Sequence, residues 1–411
     1  MTSNPQTPSD HKNRLWVISE LYYPEETSTG YYLTRIAEGL TDKFDVKVIS
    51  GQPTYSARGT IAPKHEDHRG VEIFRAGGSR LDKNVIVFRL MNMVTLSATV
   101  FWNAIRRFSA GDRVLVVTNP PTMPFIIALA SLIRGASYML LIHDNYPEIL
   151  IAAKKLRDKS FAAKALAFLN RWLYKYTAKI IVVGRDMEEL VVRKTEGLDI
   201  PIVTIPNWAE LESVSPEQKQ RNPLLAEMGI TNKLVFLYAG NMGYPNDLES
   251  IVDCAEKLVS DEQIHFIFLG TGVKRRWLIE QVKSRSLSNV TILDPKPRSE
   301  QQIFLNACDV AFVSLVDKMY GVSMPSRTYN ILAAGKPMLA LTEENSEVAR
   351  VIEEDQVGWA VRPGRPDELL SKIKLVVDQK FKWAEMGRRA RVVAETKYSL
   401  ETALEKYRNA L

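Results

Sequence analysis

Short β-branched runs alternate with segments of helical periodicity along almost the whole chain. The runs Leu15 to Ser19, Val46 to Ile49, Val71 to Phe74, Arg113 to Thr118, Tyr138 to His143, Lys179 to Val183 and Ile202 to Pro206 read as strands. Between them come patterns such as Leu33, Ile36, Ala37 and Leu40, which put one apolar face on a helix. Val114 to Val117 and Met139 to Ile142 are apolar at every position, as strands of a parallel sheet covered on both faces must be. A polar stretch from Ala209 to Lys233, holding Pro216, Pro223 and Gly229, interrupts the alternation. It restarts with Leu234 to Ala239, His265 to Leu269, Val290 to Leu293, Val310 to Ser314, Met338 to Leu341 and Trp359 to Val361, and helices follow from Pro366 onward.

This pattern predicts an α/β chain of two doubly wound, Rossmann-like domains facing a central cleft. The expected division is a loose tail over 1–13, a first domain over 14–208, a linker over 209–233 and a second domain over 234–390. A C-terminal helix over 391–411 is expected to cross back to the first domain.

Composition narrows the class. Apolar residues make up 45% and charged residues 25%, which excludes disorder and small disulfide scaffolds. Cys254 and Cys308 each lie in an apolar segment, and two cysteines make neither a disulfide framework nor a four-ligand zinc site; a reducing cytoplasm is expected. The net charge of +6 is uneven, since residues 1–200 hold 27 Lys+Arg and 20 Asp+Glu while the remainder holds 27 and 28. The basic half suits a phosphate-bearing partner or an anionic membrane surface. Met1 to Asn13 lacks the apolar core of a signal peptide. Asn84 to Phe108 is apolar but broken by Arg89, Asn92 and Asn103, so a spanning helix is not expected. Residues 154–179 interleave Lys154, Lys155, Arg157, Lys159, Lys164, Arg171, Lys175 and Lys179 with Phe161, Phe168, Leu169 and Trp172, a pattern suited to a peripheral contact with an anionic leaflet. The apolar segment Met91 to Trp102, followed by Arg106 and Arg107, is a second such surface. Aromatic and basic residues interleave in that one stretch only, which argues against nucleic acid as a partner.

The candidate chemistry sits at strand ends. Strand Leu234 to Ala239 runs into Gly240-Asn241-Met242-Gly243, a turn whose backbone can approach a phosphate or a sugar. Leu269-Gly270-Thr271-Gly272 is followed by Lys274, Arg275 and Arg276 at a helix start, where cations oppose the helix dipole and a bound anion would relieve them; Lys274 is the candidate for a diphosphate, and Arg275 and Arg276 read equally well as a solvated basic cluster. In Met324 to Asn330, leading into Ile331 to Pro337, Pro325, Ser326 and Arg327 read as an anion-binding helix N-terminus with Pro325 in its first turn. In the first half, Tyr22 to Gly30 reads as a long loop after the first strand, a placement typical of binding elements. His143-Asp144-Asn145-Tyr146-Pro147-Glu148 puts an imidazole and two carboxylates at another strand end, and His143 beside Asp144 is an acid/base or hydroxyl-binding pair. A nicotinamide-dependent oxidoreductase would need G-x-G-x-x-G, but Gly270-Thr271-Gly272 is followed by Arg275 at the third position.

In their order along the chain, the Tyr-Tyr-Pro-Glu loop, Asp144 to Glu148, Ile205-Pro206-Asn207, Tyr238 to Gly243, Leu269 to Gly272 and Pro325 to Arg327 with Ala333 to Pro337 resemble the family-four retaining glycosyltransferases of the GT-B fold. The resemblance is strongest to the subgroup that builds bacterial surface polysaccharides on lipid carriers. It implies metal-independent transfer of a sugar from a nucleotide diphosphate, with a UDP-sugar as substrate and no cofactor, to a lipid-linked or oligosaccharide acceptor at the cytoplasmic face of the membrane. Carried over by position, Gly240, Asn241, Gly243, Lys274, Ser326 and Arg327 face the donor phosphates and Asn330 the ribose. His143, Asp144 and Arg327 carry the chemistry, and Thr29, Gly30 and Glu148 face the acceptor. Two departures stand out. The Glu-x7-Glu pair of many members is replaced by Val322 and Asn330, and an Arg and Lys after the second-domain glycine by Asn241 and Asn246. The alternative is a catalytically silent sugar-nucleotide or lipid-carrier binding protein of the same fold.

Overall fold

The computed structural model describes residues 12–53, 61–79, 81 and 86–411. The expected tail falls outside the described residues as far as His11. Among the described residues fourteen strands form: β1 Arg14–Ser19, β2 Asp45–Ser50, β3 His65–His68, β4 Val71–Arg75, β5 Arg113–Val117, β6 Ser137–Ile142, β7 Lys179–Val182, β8 Ile202–Thr204, β9 Leu234–Ala239, β10 Ile264–Leu269, β11 Val290–Leu293, β12 Val310–Ser314, β13 Met338–Leu341 and β14 Gly358–Val361. They lie in two sheets, ordered β3-β4-β2-β1-β5-β6-β7-β8 and β11-β10-β9-β12-β13-β14. Every predicted strand is present. The unpredicted one, β3, is His-Glu-Asp-His, an edge strand antiparallel to β4 whose polar residues carry no apolar periodicity.

The chain divides into two compact units. The first holds 1–141, 173–180 and 406–411, and the second 142–172 and 181–405. In the first, Trp16 packs at 5.9 Å from Phe74 and 5.4 Å from Phe108, and its indole N–H donates to Asp112 at 2.9 Å. The last residues are tied in by Arg408, which pairs with Asp42 at 2.9 Å and donates to the Gly39 carbonyl at 3.0 Å.

The second unit owes its order to a sheet buried on both faces. All six residues of β10 are buried. On one face Phe236, Phe266 and Phe312 stack with centroids 5.6 to 6.4 Å apart under the helices Leu248–Lys257, Arg275–Ser284 and Pro366–Asp378. The strand order reverses direction between β9 and β12. Connections leaving those two strands diverge, and a crevice opens at their carboxyl ends. The sequence enters that crevice at Gly240, after β9, and at Leu315, after β12.

Candidate active site

The turns after β9 and β10 pack backbone against backbone. The Gly240 amide donates to Leu269 O at 2.9 Å, the Met242 amide to Thr271 O at 2.7 Å and the Lys274 amide to Met242 O at 2.9 Å. Gly270, at φ +137°, comes so close that a Cβ would lie 2.1 Å from the Gly240 carbonyl oxygen; at Gly272, φ +148°, it would lie 2.6 Å from that of Met242. Both close approach and backbone angle therefore demand glycine. Asn241 and Asn246 help fold the turn: the Asn241 carbonyl accepts from the Tyr238 hydroxyl at 2.6 Å and from the Asn246 amide at 3.0 Å.

Arg327 lies against this turn. Its guanidinium sits 4.4 Å over the Tyr238 ring, and a Cβ on Gly240 would stand 3.0 Å from the guanidinium carbon. Nη2 reaches Asn246 Oδ1 at 3.5 Å, while Nη1 is buried without a hydrogen-bond partner. Among the described residues the side-chain oxygen that Arg327 meets is the neutral one of Asn246. A planar, permanently charged fork with an unsatisfied N–H, beside a glycine turn, is suited to an anion with two or more oxygens. Tyr238, the platform beneath it, was not among the residues expected from sequence, because an aromatic one residue before a strand end reads as core.

The helix itself contributes less than expected. It runs Arg327–Ala333, seven residues, with Ser326 as cap and no side-chain capping bond; Pro325 precedes it instead of occupying its first turn. So short a helix has a weak dipole, and the site's charge rests on the guanidinium. The cations at the start of helix Arg275–Ser284 are paired with acids: Lys274 with Glu249 at 2.9 Å, Arg275 with Asp294 at 2.6 Å and Arg276 with Glu280 at 3.1 Å. Lys274 also donates to Asn246 O at 2.7 Å, so it holds the turn from below.

His143 and Asp144 follow β6 and group with the second unit. Asp144 forms an isolated antiparallel bridge with Ser323, on the chain segment leading into Ser326 and Arg327. The two ionisable groups are driven in opposite directions by one cause. Burial lowers the His143 pKa to about 4 and raises that of Asp144 to about 6, so the imidazole is neutral at pH 7 and the carboxyl titrates just below it. Glu148 is held by Lys194, whose ammonium donates to it and to the Tyr146 carbonyl, each at 2.7 Å. Burial lowers the Lys194 pKa against the pull of Glu148.

Asn330 is buried and committed inside the protein: its Oδ1 accepts the Glu210 amide at 3.0 Å and its Nδ2 donates to Gln301 at 3.2 Å. Thr29 and Gly30 belong to the first unit. The loop expected to extend to Gly30 ends earlier, because Thr27 caps a helix over Ser28–Gly39 by accepting the Gly30 amide. Gly30 stands in the first turn, where a Cβ would meet the Glu25 carbonyl at 2.7 Å.

The two segments expected to touch a membrane form helices that present apolar side chains to solvent. In Phe161–Lys175, Phe161 is 88% and Phe168 74% exposed, while Ala163 and Leu173 are buried. Helix Ile86–Arg107 contains no acidic residue; Leu96, Val100 and Ala104 are buried, whereas Val87, Leu90, Met91, Val94 and Trp102 are exposed. Arg106 stacks on Trp102 at 4.4 Å. Among the described residues no helix is long and apolar enough to cross a membrane.

Comparison with known proteins places this geometry in a family. Residues 28–208 match the glycosyl transferase 4-like domain and residues 221–393 match glycosyl transferases group 1. The chain is 30% identical over 398 residues to the probable glycosyltransferase WbjE of Pseudomonas aeruginosa, covering 96% of each chain. It is 24% identical over 370 residues to the putative colanic acid biosynthesis glycosyl transferase WcaI of Escherichia coli, covering 86% of this chain and 89% of that one. Among solved structures, Anabaena HepE in complex with UDP-glucose superposes with a TM-score of 0.71 at 15% identity, over 97% of this chain and 100% of that one. The chain belongs to the group 1 glycosyltransferases and has their two-domain GT-B fold of parallel α/β sheets.

Proposed function

We propose that this glycosyltransferase is a retaining, metal-independent enzyme that moves a sugar from a UDP-sugar to a lipid-linked saccharide in surface-polysaccharide assembly. The observation that carries the reading is the placement of Arg327: an unpaired guanidinium against the Gly240–Gly243 turn, at the carboxyl ends of β9 and β12. The donor diphosphate takes the fork of Arg327 and backbone amides of the turn, with Ser326 beside it. HepE was solved with UDP-glucose, which supports a uridine donor; WcaI carries colanic acid biosynthesis in its name, which supports a polysaccharide product.

In this reading the protein stabilises charge on the departing UDP, and the leaving phosphate helps take the proton from the acceptor hydroxyl on the same face of the sugar. The neutral imidazole of His143 and the carboxylate of Asp144 bind hydroxyls of the transferred sugar or the acceptor. Thr29 and Gly30 serve the acceptor from the first unit, where Gly30 lets the helix start close against the Glu25 carbonyl, and Glu148, fixed by Lys194, serves it from the second. Lys274 acts on the phosphates indirectly, through the turn it braces. Asn330 serves the ribose only if its bonds to Glu210 and Gln301 are exchanged.

The basic stretch 154–175 and the acid-free outer face of Ile86–Arg107 support a peripheral place on the cytoplasmic leaflet, where a lipid-linked acceptor would be met. A second reading, a silent sugar-nucleotide binding protein, is favoured by the internal bonding of Asn330. Incubation with radiolabelled UDP-sugars and extracted lipid-linked acceptors separates the two. Transfer with retained anomeric configuration supports the enzyme, and tight UDP binding without transfer or donor hydrolysis supports the silent protein.

A further inference from the structure

The segment that leads through Ser326 into Arg327, residues 315–326, leaves β12 as a loop with no helix or strand of its own, yet it is pinned at several points. The Val316 amide donates to Pro245 O at 2.9 Å, and the Tyr320 amide to Glu343 Oε2 at 2.8 Å. Asn145 then grips it twice: its side-chain Nδ2 donates to Gly321 O and its backbone amide to Val322 O, both at 2.8 Å. Asp186, on helix Arg185–Lys194, accepts the Gly321 amide at 3.2 Å through the same Oδ2 that takes the Glu347 amide at 3.0 Å. Gly321, at φ +71°, sits so close to that helix that a Cβ would stand 2.7 Å from Asp186 O. The Asp144–Ser323 bridge comes next.

Asn145 is fully buried and Asp186 is 3% exposed. Burying an amide and a carboxyl is costly unless their bonds are made; the Asn145 Nδ2 bond goes to this loop, and Asp186 Oδ2 divides its bonds between this loop and the Glu347 amide. Neither side chain contacts the turn at Gly240 or the guanidinium of Arg327. We propose that Asn145 and Asp186 are positioning residues for the donor site, clamping residues 319–323 so that Arg327 and Asp144 are held in register with each other. The proposal rests on the reading that Arg327 binds the donor diphosphate.

A double-mutant cycle on the full chain, with UDP affinity by titration calorimetry as readout, tests it. Asn145→Ala is expected to weaken UDP about tenfold, yet less than about twofold in an Arg327→Ala background, because it acts through that side chain. Asp186→Ala is expected to behave alike, while Asp186→Asn, which keeps an acceptor for the Gly321 amide, retains most of the affinity. Melting temperatures are recorded for each; should Asn145→Ala not fold, Asn145→Ser takes its place in the cycle. Equal losses in the two backgrounds, or no loss in the wild-type background, would overturn the proposal. If Arg327→Ala itself leaves UDP affinity unchanged, the donor-site reading falls, and the clamp's role with it; additive losses beside a damaging Arg327→Ala sink the clamp alone.

Discussion

Asp144 and Ser323 pair backbone to backbone, so the carboxyl that ends one strand connection is tied to the segment delivering Arg327. This bridge brings together two parts of the chain that are about 180 residues apart in sequence and that carry the two halves of the proposed chemistry.

Removing the guanidinium tests the charge-stabilising role. Arg327→Ala is expected to lower turnover about 10²- to 10³-fold, the usual cost of losing one preorganised donor to a developing anion. Arg327→Lys recovers part of that, since a point charge replaces a fork. Steady-state kinetics with the identified donor gives both values, and wild-type rates in the alanine variant would remove Arg327 from the site.

The titration of Asp144 predicts an acidic limb. With its pKa raised from 3.8 to about 6, the carboxylate is lost below about pH 6, and kcat/KM should fall about tenfold per pH unit there. His143, lowered to about 4, adds no limb near 6.5. Asp144→Asn should flatten the profile, and a limb that survives the substitution belongs to another group. The stability signs are opposite. The raised Asp144 value contributes stability that is full below about pH 3.8 and lost as pH rises through 6. The lowered His143 value contributes stability present above about 6.5 and lost as pH falls through 4.

Gly270→Ala should destabilise by about 3 kcal/mol or more, because the added methyl meets the Gly240 carbonyl in a backbone conformation that alanine disfavours. Gly364→Ala, at φ +70° with open space around it, should cost only about 1 kcal/mol. Denaturant titration of the pair isolates the contact between the two turns; equal costs would mean that only backbone angle matters.

Much of this was legible in the sequence, and the failures have physical causes. All thirteen predicted strands form, since apolar runs flanked by Gly and Pro are local signals. The strand β3 escaped because an edge pair needs no apolar face. The turns at Gly240 and Gly270 were readable as glycine patterns, but their mutual packing depends on neighbouring strands in the sheet. The ion pairs of the basic cluster at Lys274 were not readable, because Glu249, Asp294 and Glu280 become its partners only through folding or one helical turn. The bonds of Asn330 to Glu210 and Gln301 join residues at separations no spacing rule reveals.

Membrane contact has its own test. Lys154, Arg157 and Lys159 are exposed, and replacing all three with Gln should weaken binding to phosphatidylglycerol vesicles about a hundredfold at about 1 kcal/mol each. Lys155 is left in place because it lies 3.8 Å over the Tyr244 ring, next to the donor turn. Vesicle co-sedimentation that is unchanged by the triple variant would refute the electrostatic contribution.

The most direct measurement is the shift in melting temperature of the full chain across a panel of UDP-, GDP-, dTDP-, ADP- and CMP-sugars. A ligand that binds only the folded state adds about 2.7 kcal/mol at a hundred times its Kd. At least one UDP-sugar is predicted to raise the melting temperature of the wild type and to lose most of that effect with Arg327→Ala. No response to any sugar nucleotide, or an equal response in the variant, would contradict the donor site described above.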